Sequence, residues 1–339
     1  VDTPADLERL ASQSSARVAS MAPVASVAPV GVVGPGASGA PVAGPSAGPS
    51  DDPLRAWAER VRANREQVDR LREVPDATDF YGPVSSIFRA DPHRTDDPVL
   101  DVLRGLARSD ERWLDIGAGA GRFALPLALR VREVIALDPS PAMLGALREI
   151  ARENRIRNVR VVEGRWPDVF TAGTLGEPPL ADVALIAHVG YDIEAIGPFL
   201  DAMDEAAARL CVAVLMERVP AAVADPFWPV VHGEARVSLP ALPEFLAVLG
   251  ARGKQPETTF VERPPRAFPS RADLERAVRH QLWIADGSEK ERRFCELFEE
   301  LAVETPDGFV LRTAGPVRIG IVRWQPDARA GGASPGASR

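Results

Sequence analysis

The segment RWLDIGAGAGRFALPLALR, residues 112–130, constrains the chain more than any other. A short run of strand formers gives way to three glycines on alternate positions, Gly117, Gly119 and Gly121, and then to an apolar run with helical character. Glycine takes up backbone conformations closed to side chains and lets a ligand approach bare main chain. A strand, a glycine turn and a helix in that order open a doubly wound α/β sheet. Asp115, two residues before the first glycine, adds a second constraint. A carboxylate there repels a pyrophosphate and suits a ligand that presents an ammonium group and hydroxyls.

The pattern around this unit repeats the same alternation. EVIALD ends at Asp138 and is followed by the helical SPAMLGALREIARENR. VRVVEG, ADVALIAHVG and CVAVLMER read as further strands, with a helix IEAIGPFLDAMDEAAARL before the last of them. Short β-rich runs separated by helices predict a mostly parallel sheet covered on both faces. Right-handed crossovers then place the strand C-termini along one ligand-binding edge. Beyond Arg218, PALPEFLAVLGARG predicts a helix and ETTFVER a strand, followed by helices around RADLERAVRHQLWIA and EKERRFCELFEELAVE. GFVLRTAGPVRIGIVRWQ closes the pattern with two β-like runs.

Two ligand classes use such a turn. Dinucleotide oxidoreductases space their glycines G-x-G-x-x-G, whereas the third position of that spacing here is Arg122. A nicotinamide enzyme is therefore a remote alternative. LDIGAGAGRFALPLA followed by VIALDPSPAML resembles the first two motifs of the class I S-adenosylmethionine-dependent methyltransferases, and the likeness extends roughly from Phe80 to Gln325. It implies a Rossmann-like α/β fold: a seven-stranded, mostly parallel sheet with helices on both faces, an antiparallel C-terminal hairpin and an N-terminal helical cap. It implies S-adenosyl-L-methionine as cofactor and a methyl acceptor as partner.

By that resemblance Asp115, Gly117, Ala118, Gly119 and Gly121 face the amino-acid part of the cofactor. Asp138, with Pro139 beside it, meets the ribose, and Met143 lies against the adenine. Many family members carry an aspartate after the third strand, where this chain has Arg165. Trp166 next to it either stacks on the purine or fills the core, and Asp168 is the next acid. Tyr81 and His188 complete the candidate cofactor contacts, with Arg89 and Arg94 as possible partners of the cofactor carboxylate. His188 and Tyr191, at the end of the fourth strand, are the candidate catalytic residues, with Asp192 beside them for substrate contact. An imidazole has an ordinary pKa near ~6.5, which suits a general base. Phe227, Trp228 and His232, together with helices from Arg271 to Glu304, are expected to wall the acceptor site.

The organisation expected is a Pro/Ala/Gly-rich disordered tail over 1–50 and a helical cap over 51–110. The methyltransferase domain follows over 111–326, with a helical insertion near 264–304, and 327–339 form a second disordered tail. Between Ala11 and Ser50 the only charge is Arg17, and prolines break the apolar content, so no secretory signal core is expected; Met21 is a candidate start. In the cap, Asp52 and Pro53 open a helix with Leu54, Trp57, Val61, Val68, Leu71 and Val74 on one stripe.

A formal net charge of -8 argues against a polyanion as main partner, so nucleic acid is not expected; a small-molecule acceptor is the leading reading, and the motifs leave a protein acceptor open. No membrane span is expected. The two cysteines, Cys211 and Cys295, form no disulfide framework, which suits a cytoplasmic protein. His93, His188, His232 and His280 show no metal-ligand spacing, and no metal is expected. A S-adenosylmethionine-binding scaffold or sensor without catalysis is the alternative to an enzyme.

Overall fold

The computed structural model describes residues 52–75 and 89–327. Expectations for the 1–50 tail and for Tyr81 fall outside them. So does that for the C-terminal tail, apart from Asp327, whose carboxylate meets Lys254 Nζ at 2.6 Å.

The first helix, α1 (Pro53–Leu71), starts as its sequence dictates: the Asp52 carboxylate accepts from the Leu54 N–H at 3.0 Å and Pro53 occupies the first turn. After α2 (Pro98–Leu106) the alternation begins with β1 (Arg112–Ile116), α3 (Ala124–Ala128), β2 (Glu133–Asp138), α4 (Pro141–Glu153) and β3 (Val159–Glu163). A single turn, α5 (Asp168–Thr171), leads to β4 (Ala181–Ala187), α6 (Ile196–Ala206) and β5 (Ala207–Met216). Then come α7 (Trp228–His232), α8 (Leu242–Ala251), β6 (Glu257–Arg263), α9 (Arg271–Arg279), α10 (Glu289–Leu301), β7 (Ala302–Thr305), β8 (Gly308–Leu311) and β9 (Val317–Trp324).

Seven strands form one sheet in the order β3-β2-β1-β4-β5-β9-β6. β1 pairs in parallel with β2 and β4, β2 with β3, and β4 with β5, while β9 runs antiparallel between β5 and β6. The order reverses between β1 and β4, so their C-terminal tips flank the crevice where such sheets take ligands.

Period-two alternation sorts the strand side chains into two cores. Leu114, Ile116, Ala184, Ile186, Ala213 and Leu215 face α1, α6 and α8. Trp113, Val134, Val183, Leu185, Val212 and Val214 face α2, α3 and α4. Trp57 locks α1 onto the first of these layers: its ring meets Phe245 edge-on at 6.2 Å and its indole N–H donates to the Ile193 carbonyl at 2.9 Å. A third core joins Phe227, Trp228, Phe294 and Phe298 with Leu274 and Leu311, forming a helical lobe beside the sheet.

Three boundaries differ from the sequence pattern. The helix expected through Leu210 ends at Ala206, and Ala207–Leu210 instead begin β5, pairing with β4 across a register shift. Alanine favours helix, but that propensity is weak beside tertiary context, and pairing with β4 decides. The Gly121 end of the glycine turn runs through turns, so α3 begins only at Ala124. The C-terminal antiparallel hairpin pairs β7 with β8, and the β7 residues are the tail of the segment expected as helix. The run after Gly315-Pro316 joins the main sheet as β9.

Candidate cofactor site at the glycine turn

The chain leaving β1 stays tied to β2: the Gly117 and Ala118 amides both donate to the Leu137 carbonyl, at 2.7 and 2.9 Å. Gly117, Gly119 and Gly121 all have left-handed φ, at 75°, 54° and 84°. Their surroundings separate them. A Cβ on Gly117 lies 2.4 Å from the Val189 Cγ2, and one on Gly121 lies 2.7 Å from Leu125 and 3.0 Å from Leu147. Those two glycines serve close packing. Among the described residues a Cβ on Gly119 meets nothing within 4 Å, so this glycine presents bare main chain to them.

Beneath the turn, Asp115 is only 2 % exposed and neither carboxylate oxygen has a hydrogen-bond partner. Burial first, and the charge of Asp138 second, push its carboxyl up to about 7, against a small opposing effect of the Ala124 amide. A buried carboxylate without a strong partner is costly as an anion, and either a proton or a neighbouring cation relieves that cost. Asp138, 8 % exposed at the tip of β2, is organised differently. Its Oδ2 accepts from the Gly119 N–H and its Oδ1 from the Ser140 N–H, each at 2.8 Å. Ser140 Oγ in turn caps α4 by accepting from the Met143 N–H at 3.2 Å. Asp138 thus braces both the glycine turn and the start of α4. Pro139 is exposed beside it, and Met143 is buried on α4. An orphaned carboxylate, an open glycine and a second acid beside them fit a ligand with one ammonium group and neighbouring hydroxyls.

The other sequence candidates scatter. Arg165 is exposed, as is Asp168. Trp166 is a core residue: its indole N–H donates to the Phe199 carbonyl at 3.2 Å and its ring stands 5.0 Å from Phe170. That arrangement removes it from purine stacking. Phe227 and Trp228 are buried in the third core, and His232 Nε2 lies 3.0 Å from the Leu282 carbonyl. These three hold the helical lobe together; they do not wall the crevice. Arg89 is drawn to Glu149 and Glu153 on α4, at 2.5 and 3.0 Å. Arg94 pairs with Asp97 at 3.0 Å.

The two proposed bases differ from expectation. The Tyr191 hydroxyl oxygen accepts from the Met216 N–H at 2.8 Å, the side chain is buried, and burial raises its pKa well above the ordinary phenol value. It pins the β4 tip to β5. His188 has a left-handed φ of 59°, uncommon for a residue with a side chain, and its backbone N–H donates to the Val214 carbonyl. Its Nδ1 is buried without a partner. Burial, then the charges of Arg263 and Arg122, lower its pKa to about 4. The imidazole is neutral at physiological pH and a weaker base than its intrinsic pKa implies. Asp192 beside them is exposed. Asp97 and Arg263 also stand at this edge. No local motif marks them, because β6 and the α2 cap reach this edge only through the fold.

A cavity of about 310 Å³ lined by Arg132, Glu133, Arg157 and Asn158 lies at the opposite strand edge, away from this chemistry. Among the described residues no group of three or more His, Cys, Asp or Glu is placed to hold a metal ion. No helix among them is long and apolar enough to cross a membrane. Cys211 is buried and Cys295 exposed, both as free thiols.

The strand order defines a doubly wound α/β protein whose glycine turn and two acids meet at the point where that order reverses. Residues 114–174 match the family model described as a methyltransferase domain, which bears out the resemblance to class I, Rossmann-like S-adenosylmethionine-dependent methyltransferases. The chain is 36% identical over 91 residues to the 23S rRNA (uracil(1939)-C(5))-methyltransferase RlmD of Pseudomonas fluorescens, covering 24% of this chain and 20% of that protein. An uncharacterized protein of Haemophilus influenzae is 24% identical over 196 residues, covering 56% of this chain and 68% of the other. This chain therefore spans about a fifth of the length of the first of these relatives. Among solved structures, the YcgJ protein of Bacillus subtilis covers 68% of this chain and 98% of its own at 16% identity and a TM-score of 0.47.

Proposed function

We propose that this protein transfers a methyl group from S-adenosylmethionine to a small-molecule acceptor. The observation that carries the proposal is the Asp115 carboxylate, buried and without a partner beneath an open glycine turn. Asp115 receives the ammonium group of the cofactor's amino acid, and Asp138 accepts from the ribose hydroxyls while holding Gly119 in place. Gly119 admits the ligand against the main chain, and Met143 on α4 lies on the adenine side. When bound, the cofactor supplies an electrophilic methyl on a sulfonium leaving group, so the chain's work is mainly alignment and exclusion of water. His188, at the β4 tip, stands on the acceptor side and acts as a hydrogen-bond partner in its neutral form.

The depressed His188 and the engaged Tyr191 hydroxyl favour an acceptor whose nucleophile needs no strong base. They also sustain a second reading, a S-adenosylmethionine-binding scaffold. The rRNA activity named for the Pseudomonas protein is not carried over, because that likeness covers a fifth of its length and the present chain carries a net charge of -8. The free, exposed Cys295 suits the reducing cytoplasm.

Calorimetric titration with S-adenosylmethionine, S-adenosylhomocysteine and NADH tests the site: the first two bind and NADH does not. Incubation with methyl-labelled cofactor and a metabolite extract tests the enzyme. Label in a small product supports transfer, and binding without label in any product supports the scaffold.

A further inference from the structure

Two arginines share one carboxylate on the ligand edge of the sheet, and two more lie near them. Asp97 Oδ2 accepts from Arg94 Nε at 3.0 Å and from Arg122 Nη2 at 2.9 Å, while its Oδ1 caps α2 through the Leu100 N–H. Arg94 and Arg122 both lie against the Phe123 ring, at 5.8 and 5.6 Å from its centroid. Arg263 ends β6, two strands beyond β5, and makes no ion pair among the described residues; its Nε is buried and unbonded, and Asp97 is the acid whose charge reaches it. Arg266, three residues on, lies over the Phe268 ring at 4.9 Å. Burial and then the charge of Arg122 depress both Arg263 and Arg266, so these groups share one neighbourhood. Arg263 and Arg122 are also the cations felt by His188.

Arg122 and Arg266 are exposed and Arg263 is partly buried, so Arg263 is the guanidinium whose charge gains most from an anion beside it. Asp97 is already shared between two arginines, and the chain as a whole is acidic, so this patch reverses the protein's overall sign. Guanidinium is the side chain best shaped to grip a carboxylate or phosphate in two places. The position matters too. Asp115 lies on β1 and the glycine turn follows it, whereas Arg263 ends β6, on the far side of β4 and β5 in the strand order.

We propose that Arg263, flanked by Arg266 and Arg122, receives a carboxylate or phosphate of a small methyl acceptor whose reacting atom lies beside His188. The assignment rests on the methyltransferase reading and names its substrate class. An anchored anion fixes the acceptor's direction without requiring a base at the strand tip.

The test titrates benzoate, phenyl phosphate and neutral benzyl alcohol into the full chain, with and without S-adenosylhomocysteine, for the parent, Arg263→Gln and Arg263→Lys. Either anion binds the parent and benzyl alcohol does not; the stronger of the two anions identifies the group. In Arg263→Gln anion affinity falls about tenfold or more while S-adenosylhomocysteine affinity is unchanged, and Arg263→Lys recovers part of the loss. Thermal melting of each variant confirms folding. Equal anion binding by the parent and Arg263→Gln overturns the proposal, as does absence of anion binding. A parallel loss of S-adenosylhomocysteine affinity reassigns Arg263 to the cofactor carboxylate, and a single-stranded RNA oligonucleotide that competes with the anions at physiological salt replaces the small acceptor with a polyanion. If S-adenosylhomocysteine fails to bind while the anions do, the methyltransferase reading fails and the anion site stands.

Discussion

Asp138 Oδ2 accepts the Gly119 N–H at 2.8 Å, so the acid at the tip of β2 holds the glycine turn that follows β1. One carboxylate thereby has two duties, shaping the turn and meeting the ligand. Its companion bond to the Ser140 N–H extends that brace to the start of α4.

Replacing Asp138 by alanine therefore removes more than a ligand contact. S-adenosylhomocysteine affinity is expected to fall by roughly 1–3 kcal/mol, the range for a hydrogen bond to a charged group. The melting temperature falls as well, since the Gly119 and Ser140 amides lose their acceptor. Calorimetry and thermal melting together check this; unchanged affinity means that the ribose lies elsewhere.

The glycines separate by experiment. Gly121→Ala drives a methyl group into Leu125 and Leu147 and destabilises the fold by about 1–3 kcal/mol, as overpacking does. Gly119→Ala has open space around it and costs only the strain of a left-handed alanine, about 1 kcal/mol, yet it intrudes on the ligand side. Affinity loss in Gly119→Ala therefore exceeds its stability loss. Denaturant melts and ligand titrations of the pair show whether the order holds.

Tyr191→Phe distinguishes a strut from a catalyst. Its hydroxyl serves the Met216 N–H, so the variant loses about 1–2 kcal/mol of stability through an unsatisfied amide. Turnover per folded molecule stays within a few-fold of the parent once an acceptor is known. A loss of several orders of magnitude at intact stability contradicts this assignment.

Much of this architecture was legible in the sequence because it is written locally. Strand periods, the glycine turn and the Asp52-Pro53 helix start each depend on neighbours within a few residues. Asp115 and Asp138 were legible for the same reason, as tips of strands flanking a known turn. What escaped depends on distant partners. Trp166 looks equally suited to a ligand or a core until Phe199 is seen to take its N–H. Asp204, buried against Lys254 Nζ at 2.8 Å and Trp324 Nε1 at 2.8 Å, reads in sequence as an ordinary surface acid of α6. Arg263 reads as the solvated end of an edge strand until the fold brings Arg122 to it.

The raised Asp115 sets a pH dependence with a definite sign. An ammonium ligand binds its ionised form, so affinity climbs as pH rises through about 7 and falls below it. The ligand's own α-amino group loses its charge above ~8, which places the optimum between the two. Binding near pH 6–7 releases a proton, measurable by calorimetry in buffers of different ionisation enthalpy. For folding, the unfolded carboxyl ionises near 3.8 and the folded one near 7, so the unliganded protein loses stability as pH rises across that window. Asp115→Asn removes that loss, and its melting temperature at pH 8 should match or exceed the parent's.

The most direct measurement compares S-adenosylhomocysteine with methylthioadenosine, which keeps the nucleoside and lacks the amino acid, against the parent and Asp115→Asn. Asp115→Asn should weaken S-adenosylhomocysteine by about 2 kcal/mol or more while leaving methylthioadenosine unchanged. If the substitution weakens both ligands equally, or neither, Asp115 is not the ammonium receptor and the proposed cofactor site is contradicted.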